Sequence, residues 1–210
     1  MSDGAVKVDF KKTMKLFWQP PAGRFSVVEV PPLQFAMIDG AGDPNTAPAY
    51  AKAIEWLYGV SYGLKFASKA EGRDYGVAPL EGLWWAEDMS DFAGDKGKWL
   101  WTAMIMQPDW ITPKMFAAAV DHAGARLGEP PASLRLERLD EGLAVQTMHI
   151  GPFSAEGPTI ARLHQEFLPA NGLTETGKHH EIYLSDPRRT VPEKLRTVIR
   201  QPVRRIAAAG

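Results

Sequence analysis

In the stretch HHEIYLSDPRR, residues 179–189, a carboxylate stands where a strand would bury something apolar. Ile182, Tyr183 and Leu184 favour a pleated backbone, and Asp186-Pro187 is a stop signal. Side chains alternate along a strand, so Ile182 and Leu184 point one way and His179, Glu181 and Tyr183 the other. A glutamate between a histidine and a tyrosine on one face has two chemical uses. Charged, it attracts a cation, which aromatic rings beside it also favour. Partly desolvated, its pKa rises because burial penalises the ionised form, and it becomes a general base toward water. The competing reading is a solvated outer face, common in antiparallel sheets.

Aromatic groups that could hold a flat ligand are concentrated elsewhere. The chain has seven Trp, five of them between Trp84 and Trp110. Placing LWWAED (83–88) over EIYLSD (181–186) sets Leu83 opposite Glu181 and Trp85 opposite Tyr183. This predicts that all four face one central cleft, with Trp84 packed behind. A one-residue slip exchanges the two Trp assignments, so both stay in play. On the neighbouring strand Trp99, Trp101 and Ala103 share a face. The candidate ligand-binding residues are therefore Trp84, Trp85, Trp101, Leu83, His179 and Tyr62, with Glu181 and Tyr183 as catalytic candidates. For any single Trp, and for Tyr62 on its helix, core packing is the competing explanation.

Other signals fail. His179-His180-Glu181 looks like a metal cluster, but alternation turns His180 away, and HHEIY lacks the second His of a helical H-E-x-x-H site. No metal and no cofactor are expected. GAGDP at 40–44 has neither the third glycine nor the lysine of a phosphate loop. Helix capping accounts for Ser154, and a solvated loop for Arg188 and Arg189.

Composition narrows the function classes. At 210 residues the chain can build a sizeable core, and 45% hydrophobic with 23% charged residues is ordinary for a globular protein. A net charge of -1 leaves no electrostatic footprint for nucleic acid. The absence of cysteine excludes disulfides, thiolate metal sites and thiol catalysis. The N-terminus has no signal-peptide core and no run is long enough to span a membrane, so a cytoplasmic location is expected.

The elements that must position these residues are legible. SVVEVPPLQFAMIDG (26–40) reads as two extended pieces broken by Pro31-Pro32. A helix follows to about Lys69, with Asn45 or Thr46 as N-cap and Pro48 in its first turn. PLEGLWWAEDM and KWLWTAMIMQP read as a hairpin joined through SDFAGDKG. A helix over 113–127 is opened by Thr112-Pro113 and closed by Gly128. SLRLERL and LAVQTMHIG read as strands across the turn at 140–142. Ser154 is expected to cap a helix carrying Ile160, Leu163 and Phe167, which Asn171-Gly172 ends. HHEIYLSD and the region of TVIRQPV supply the last two strands. MHIGPF answers MIDGAG, and IRQP (199–202) answers IMQP (105–108), so the order of elements reads as a duplication. The fold class expected is α+β: tandem β-α-β-β repeats, about 26–108 and 134–203, bridged by the 113–127 helix. Pseudo-twofold symmetry would leave a ligand cleft between antiparallel sheets.

DFKK (9–12), FAMIDGAGDPNT (35–46), YGVSYGLKF (58–66), PLEGLWW (79–85), MIMQPDWIT (104–112), HIGPFSAEGPTI (149–160) and EIYLSDPRR (181–189) together resemble the stand-alone GyrI-like, or gyrase-inhibitor-like, small-molecule-binding proteins. The resemblance runs in order through nearly the whole chain as a single domain. It implies a duplicated α+β fold with a ligand cleft, in which the strand glutamate matching Glu181 faces the ligand. Related domains are fused to DNA-binding heads in AraC- and MerR-class regulators, where they sense drugs. No helix-turn-helix head fits the first 30 residues here, so the free-standing type is expected. Some free-standing members are hydrolases that open the cyclopropane of DNA-alkylating natural products. Two classes stay open: a hydrolase of such planar toxic compounds using Glu181, or a non-catalytic protein. The latter would bind planar, apolar or cationic drugs, or meet gyrase through its surface. Neither nucleic acid nor membrane is an expected partner.

Overall fold

The computed structural model describes residues 7–87 and 96–207. In chain order its elements begin with the helical turns α1 (Phe10–Thr13) and α2 (Lys15–Trp18) and the strands β1 (Ser26–Val30) and β2 (Leu33–Ala41). Helix α3 (Pro48–Ala70), strands β3 (Leu80–Trp85) and β4 (Leu100–Gln107), and helix α4 (Pro113–Leu127) follow. Then come β5 (Arg135–Leu139), β6 (Gly142–Ile150), α5 (Gly157–Arg162), a π turn (Leu163–Phe167), α6 (Leu168–Ala170), β7 (Leu173–Glu175), β8 (His179–Tyr183) and β9 (Arg196–Arg205). The architecture is α+β with antiparallel sheet, and the chain divides into two compact units, one built on Met1–Met14 and Leu33–Leu139, the other on Lys15–Pro32 and Asp140–Gly210.

In the first unit the strands hydrogen-bond in the order β5-β2-β4-β3. Helix α3 buries Ala53, Leu57, Val60, Ser61, Leu64 and Ser68, the helical repeat that marks one packed stripe. Its start differs from expectation. Ala47 occupies the N-cap without a side-chain hydrogen bond, and Asp43 shapes the turn instead, its carboxylate accepting from the Asn45 backbone N–H at 2.9 Å. An Asx turn of this kind competes with capping for the same short polar side chains. Helix α4 begins as expected, with Thr112 Oγ1 accepting from Met115 N–H at 3.2 Å, and ends at Gly128, whose φ of 80° suits glycine.

In the second unit the order is β1-β6-β9-β8, with β7 alongside the far end of β9. Residues 157–170 form one helical segment interrupted by the π turn, and Leu163 and Leu168 from it pack with Val145, Leu173, Ile199 and Val203. These residues are the core of that unit. The three-residue strand β7 is absent from the sequence reading, being too short to show a period.

Two expected neighbours are not paired. β5 and β6 are separated only by Asp140-Glu141, yet β5 pairs with β2 while β6 lies between β1 and β9. Likewise β1 and β2, separated by Pro31-Pro32, join different units and do not pair with each other. Each unit thus takes its outer strand from the other expected repeat span, β1 from 26–108 and β5 from 134–203. Among the described residues no helix is long and apolar enough to cross a membrane.

Candidate functional site

Strand β8 delivers the expected trio. His179 Nε2 lies 3.1 Å from Glu181 Oε1, and the Tyr183 hydroxyl donates to Glu181 Oε2 at 2.9 Å. The Glu181 side chain is 14% exposed. Cross-strand partners share a face, and Glu181 is opposite Ile199, which is opposite Thr147. Since Ile199 packs against Leu163 and Leu168, the trio lies on the sheet face that carries the helical segment. A wholly solvated face is therefore the wrong reading of this strand.

The charge state differs from the sequence expectation. Burial pushes the Glu181 carboxyl up, but the hydrogen bond and charge of His179 and the hydrogen bonds of Tyr183 and Glu156 outweigh it and hold the group below the usual carboxylate range. The sequence reading foresaw burial and put His179 and Tyr183 on the same face, but left out that these two donors offset it. Glu181 is an ionised, oriented carboxylate.

The segment after β6 closes over this trio. Ser154 lies in a 3-10 turn (Phe153–Ala155) rather than at a helix N-cap; that position belongs to Glu156, whose side chain makes no capping bond. Glu156 is 4% exposed and is the weakest of the groups that lower the Glu181 carboxyl, while the Phe153 ring meets Tyr183 edge-on at 5.5 Å. His149 Nε2 lies 3.3 Å from the Pro152 carbonyl, and Gly151, at φ 141°, makes the sharp turn between strand and segment. Thr197, opposite Tyr183 on β9, is fully buried, and its Oγ1 has no hydrogen-bond partner among the described residues. Glu156 and Thr197 were missed as site residues. The first stands inside HIGPFSAEGPTI, whose acid lay two positions from a serine that explained the helix start too readily.

A second titratable pair flanks the group: His164, in the π turn, holds Glu175 at 2.8 Å. Burial and the charge of His179 push the His164 imidazole down against the opposing pull of Glu175. The other face of β8 is structural. His180 Nδ1 meets Glu141 Oε1 at 2.8 Å, and Arg200 donates to Glu141 Oε2 at 2.9 Å, to Gln146 Oε1 and to the Phe17 carbonyl. Among the described residues no group of three His, Asp or Glu side chains could hold a metal ion.

In the first unit the registers sort the tryptophans. Trp84 pairs with Trp101, which pairs with Gly40, so these share one face, and both rings pack on Tyr50 near the start of α3. Trp101 is 1% exposed and Trp84 3% exposed, so both are buried, which for Trp84 is the phase that packs it behind. Trp101 sits over Gly40, where an added Cβ would come within 2.2 Å of the indole, so the glycine is what admits the ring. Leu83 and Trp85 point to the opposite face, and Trp85 is half-buried. On an equivalence of Ile105 with Ile199, the counterpart of Glu181 in the first unit is Leu80, three residues from Leu83 and on the other face of the strand. Tyr62 is 48% exposed on α3, stacked between Tyr58 and Phe66 at 6.3 and 6.4 Å.

Residues 24–204 match the family of GyrI-like small molecule binding domains. The chain belongs to the GyrI-like family. This GyrI-like protein is 41% identical to an uncharacterized conserved protein from Listeria innocua, over 94% of this chain and 100% of that one, with a TM-score of 0.87. A hydrolase from Listeria innocua is 40% identical over the same shares, with a TM-score of 0.82. The C-terminal domain of EcmrR, 13% identical over 87% of this chain and 98% of that one, has a TM-score of 0.55 and is alike in fold alone. Comparison with the curated proteins gave no match. The GyrI-like protein is a small-molecule-binding domain.

Proposed function

We propose that this GyrI-like protein binds planar, mostly apolar or cationic molecules and hydrolyses electrophilic ones of the cyclopropane type, with Glu181 as general base. The observation that carries the reading is a largely buried carboxylate held ionised by fixed donors, Tyr183 at 2.9 Å and His179 at 3.1 Å. Such a group starts the reaction in its basic form and in one orientation. In the reaction a water proton passes to Glu181 as the water oxygen bonds to a ring carbon. The strained carbon–carbon bond breaks, and its electron pair moves to the conjugated carbonyl oxygen. That oxygen takes a proton from solvent, and Glu181 releases its own, so the net change is addition of water. Tyr183, whose single hydroxyl proton goes to Glu181 Oε2, is proposed to orient the base.

The 40% identity to a Listeria hydrolase over nearly the whole chain supports a hydrolytic reading. The half-buried Trp85 ring is proposed as a stacking surface for flat molecules. The matching strand orders β5-β2-β4-β3 and β1-β6-β9-β8 support an origin by duplication. Hydrolysis of a cyclopropane-containing alkylator, followed by absorbance, tests the reading with wild type and Glu181→Gln side by side. Binding should persist in the variant while turnover falls by roughly 10²–10⁴. Equal rates with binding intact would remove Glu181 from the chemistry, and binding without turnover in either protein would make this a drug-binding protein.

A further inference from the structure

Two sides of α3 are occupied within the first unit. Ala53, Leu57, Val60 and Leu64 are buried on the stripe that packs against the sheet. Gly59 and Gly63 face α4, where an added Cβ would lie 3.1 Å from Leu127 and 3.5 Å from Ala119. A third side carries Tyr58, Tyr62 and Phe66, four residues apart, so they stand one above another. Their rings stack along the helix at 6.3 and 6.4 Å. Phe66 is 61% exposed, more than Tyr62. Lys65, tied to Asp74 at 2.7 Å, lies 5.1 Å from the Phe66 centroid and steadies that ring. Scattered exposed apolar residues are ordinary, but a contiguous aromatic stripe marks a surface that something covers.

The charges flanking the stripe select what covers it. Glu55 stands seven residues before Tyr62 and Lys69 seven residues after it, and both are exposed. Seven residues are about two helical turns, so both charges lie on the stripe's own side, each about 10 Å along the axis from Tyr62. A twofold axis through Tyr62 sets a second α3 antiparallel to the first. Tyr58 then meets Phe66, Tyr62 meets its own copy, and Glu55 meets Lys69 at both ends. In a parallel pair Glu55 would face Glu55 and Lys69 would face Lys69, which like-charge repulsion opposes. Within the chain Glu55 has Arg126 at 3.3 Å and Lys69 has Asp74 at 3.9 Å; such surface pairs contribute little and can be exchanged. We propose that this face of α3 is a homodimer interface, in which two copies of the chain pair their α3 helices antiparallel about Tyr62. The contact is isologous, one patch serving both copies. A contact confined to one helix falls short of the roughly 800 Å² per partner of a standard interface, so the dimer is weak and concentration-dependent.

Sedimentation velocity of the full chain from about 10 to 500 µM should show a reversible shift from monomer toward dimer. Tyr62→Glu, which sets two carboxylates on the axis, should stay monomeric over the same range. Glu55→Lys and Lys69→Glu should each weaken the dimer by about 10-fold. An equimolar mixture of the two should restore it, because each end then pairs opposite charges. The chain has no cysteine, so Glu55→Cys and Lys69→Cys report the orientation. Under mild oxidation a disulfide should form in their mixture and in neither protein alone, since antiparallel helices hold each residue about 20 Å from its own copy. A chain that stays monomeric at the highest concentration overturns the proposal, as does a Tyr62→Glu variant that dimerises like wild type. Cross-linking of Glu55→Cys with itself would overturn the antiparallel pairing. Circular dichroism of each variant separates these effects from misfolding.

Discussion

Tyr183 and Glu181 stand two residues apart on β8, and the phenol donates to the carboxylate at 2.9 Å along one face of the strand. This is the sheet's own period turned into a preorganised pair, with no loop closure needed to bring the groups together. The relationship makes the charge of Glu181 a stability quantity. Its folded pKa is below the unfolded value, so its contribution is present above the unfolded pKa and is lost as pH falls through the folded one.

Tyr183→Phe should therefore move the Glu181 titration upward and bring the acid loss of stability to higher pH. A hydrogen bond to a charged group is typically about 1.5–3 kcal/mol, which sets the expected loss at neutral pH. Urea unfolding across the acid range, with wild type alongside, checks it. Coincident acid limbs would mean that the phenol does not hold the carboxylate.

Glu141→Gln should be among the most destabilising changes in the second unit. Burial pushes the Glu141 carboxyl up, but the charges and hydrogen bonds of His180 and Arg200 pull it down to about 2. The wild-type contribution is thus present above the unfolded value and lost as pH falls toward 2. In the variant a buried guanidinium keeps no counter-charge, which typically costs about 3–5 kcal/mol. Thermal unfolding at neutral pH should show a large drop in Tm, and a shift of a degree or less would contradict the buried network.

Gly40→Ala should destabilise the first unit by about 1–3 kcal/mol, since overpacking a tight core forces neighbours aside. The added methyl would meet the Trp101 ring at 2.2 Å. Changed near-ultraviolet circular dichroism, with unfolding at lower denaturant, is the expected signature.

Trp84→Ala and Trp85→Ala, adjacent in sequence, should behave differently. Trp84 is enclosed by Tyr50 and Trp99, and its truncation should cost about 3–5 kcal/mol. Trp85 is half-buried on the other face, so its loss should cost much less stability and chiefly weaken binding of a planar dye. Denaturant unfolding and saturable fluorescence quenching, measured on both variants, separate the two roles.

The sequence by itself determined what alternation and turn chemistry control: the strand HHEIY with His179, Glu181 and Tyr183 on one face, the helices begun by Pro48 and Pro113, and the α+β class. These are local properties, set by backbone sterics and periods of two and 3.6 residues. Which of Trp84 and Trp85 is buried was not legible, because both phases of β3 have an aromatic residue, and only pairing of Trp84 with Trp101 over Gly40 chose one. Tertiary structure alone decided that β5 leaves β6 for β2, since a short link allows a hairpin but cannot compel one. It alone brought the turn carrying Phe153 and Glu156 against β8, where the Phe153 ring meets Tyr183. Burial can be guessed from neighbours in sequence. How far the donors on the same strand offset it is decided only when packing removes the water around them.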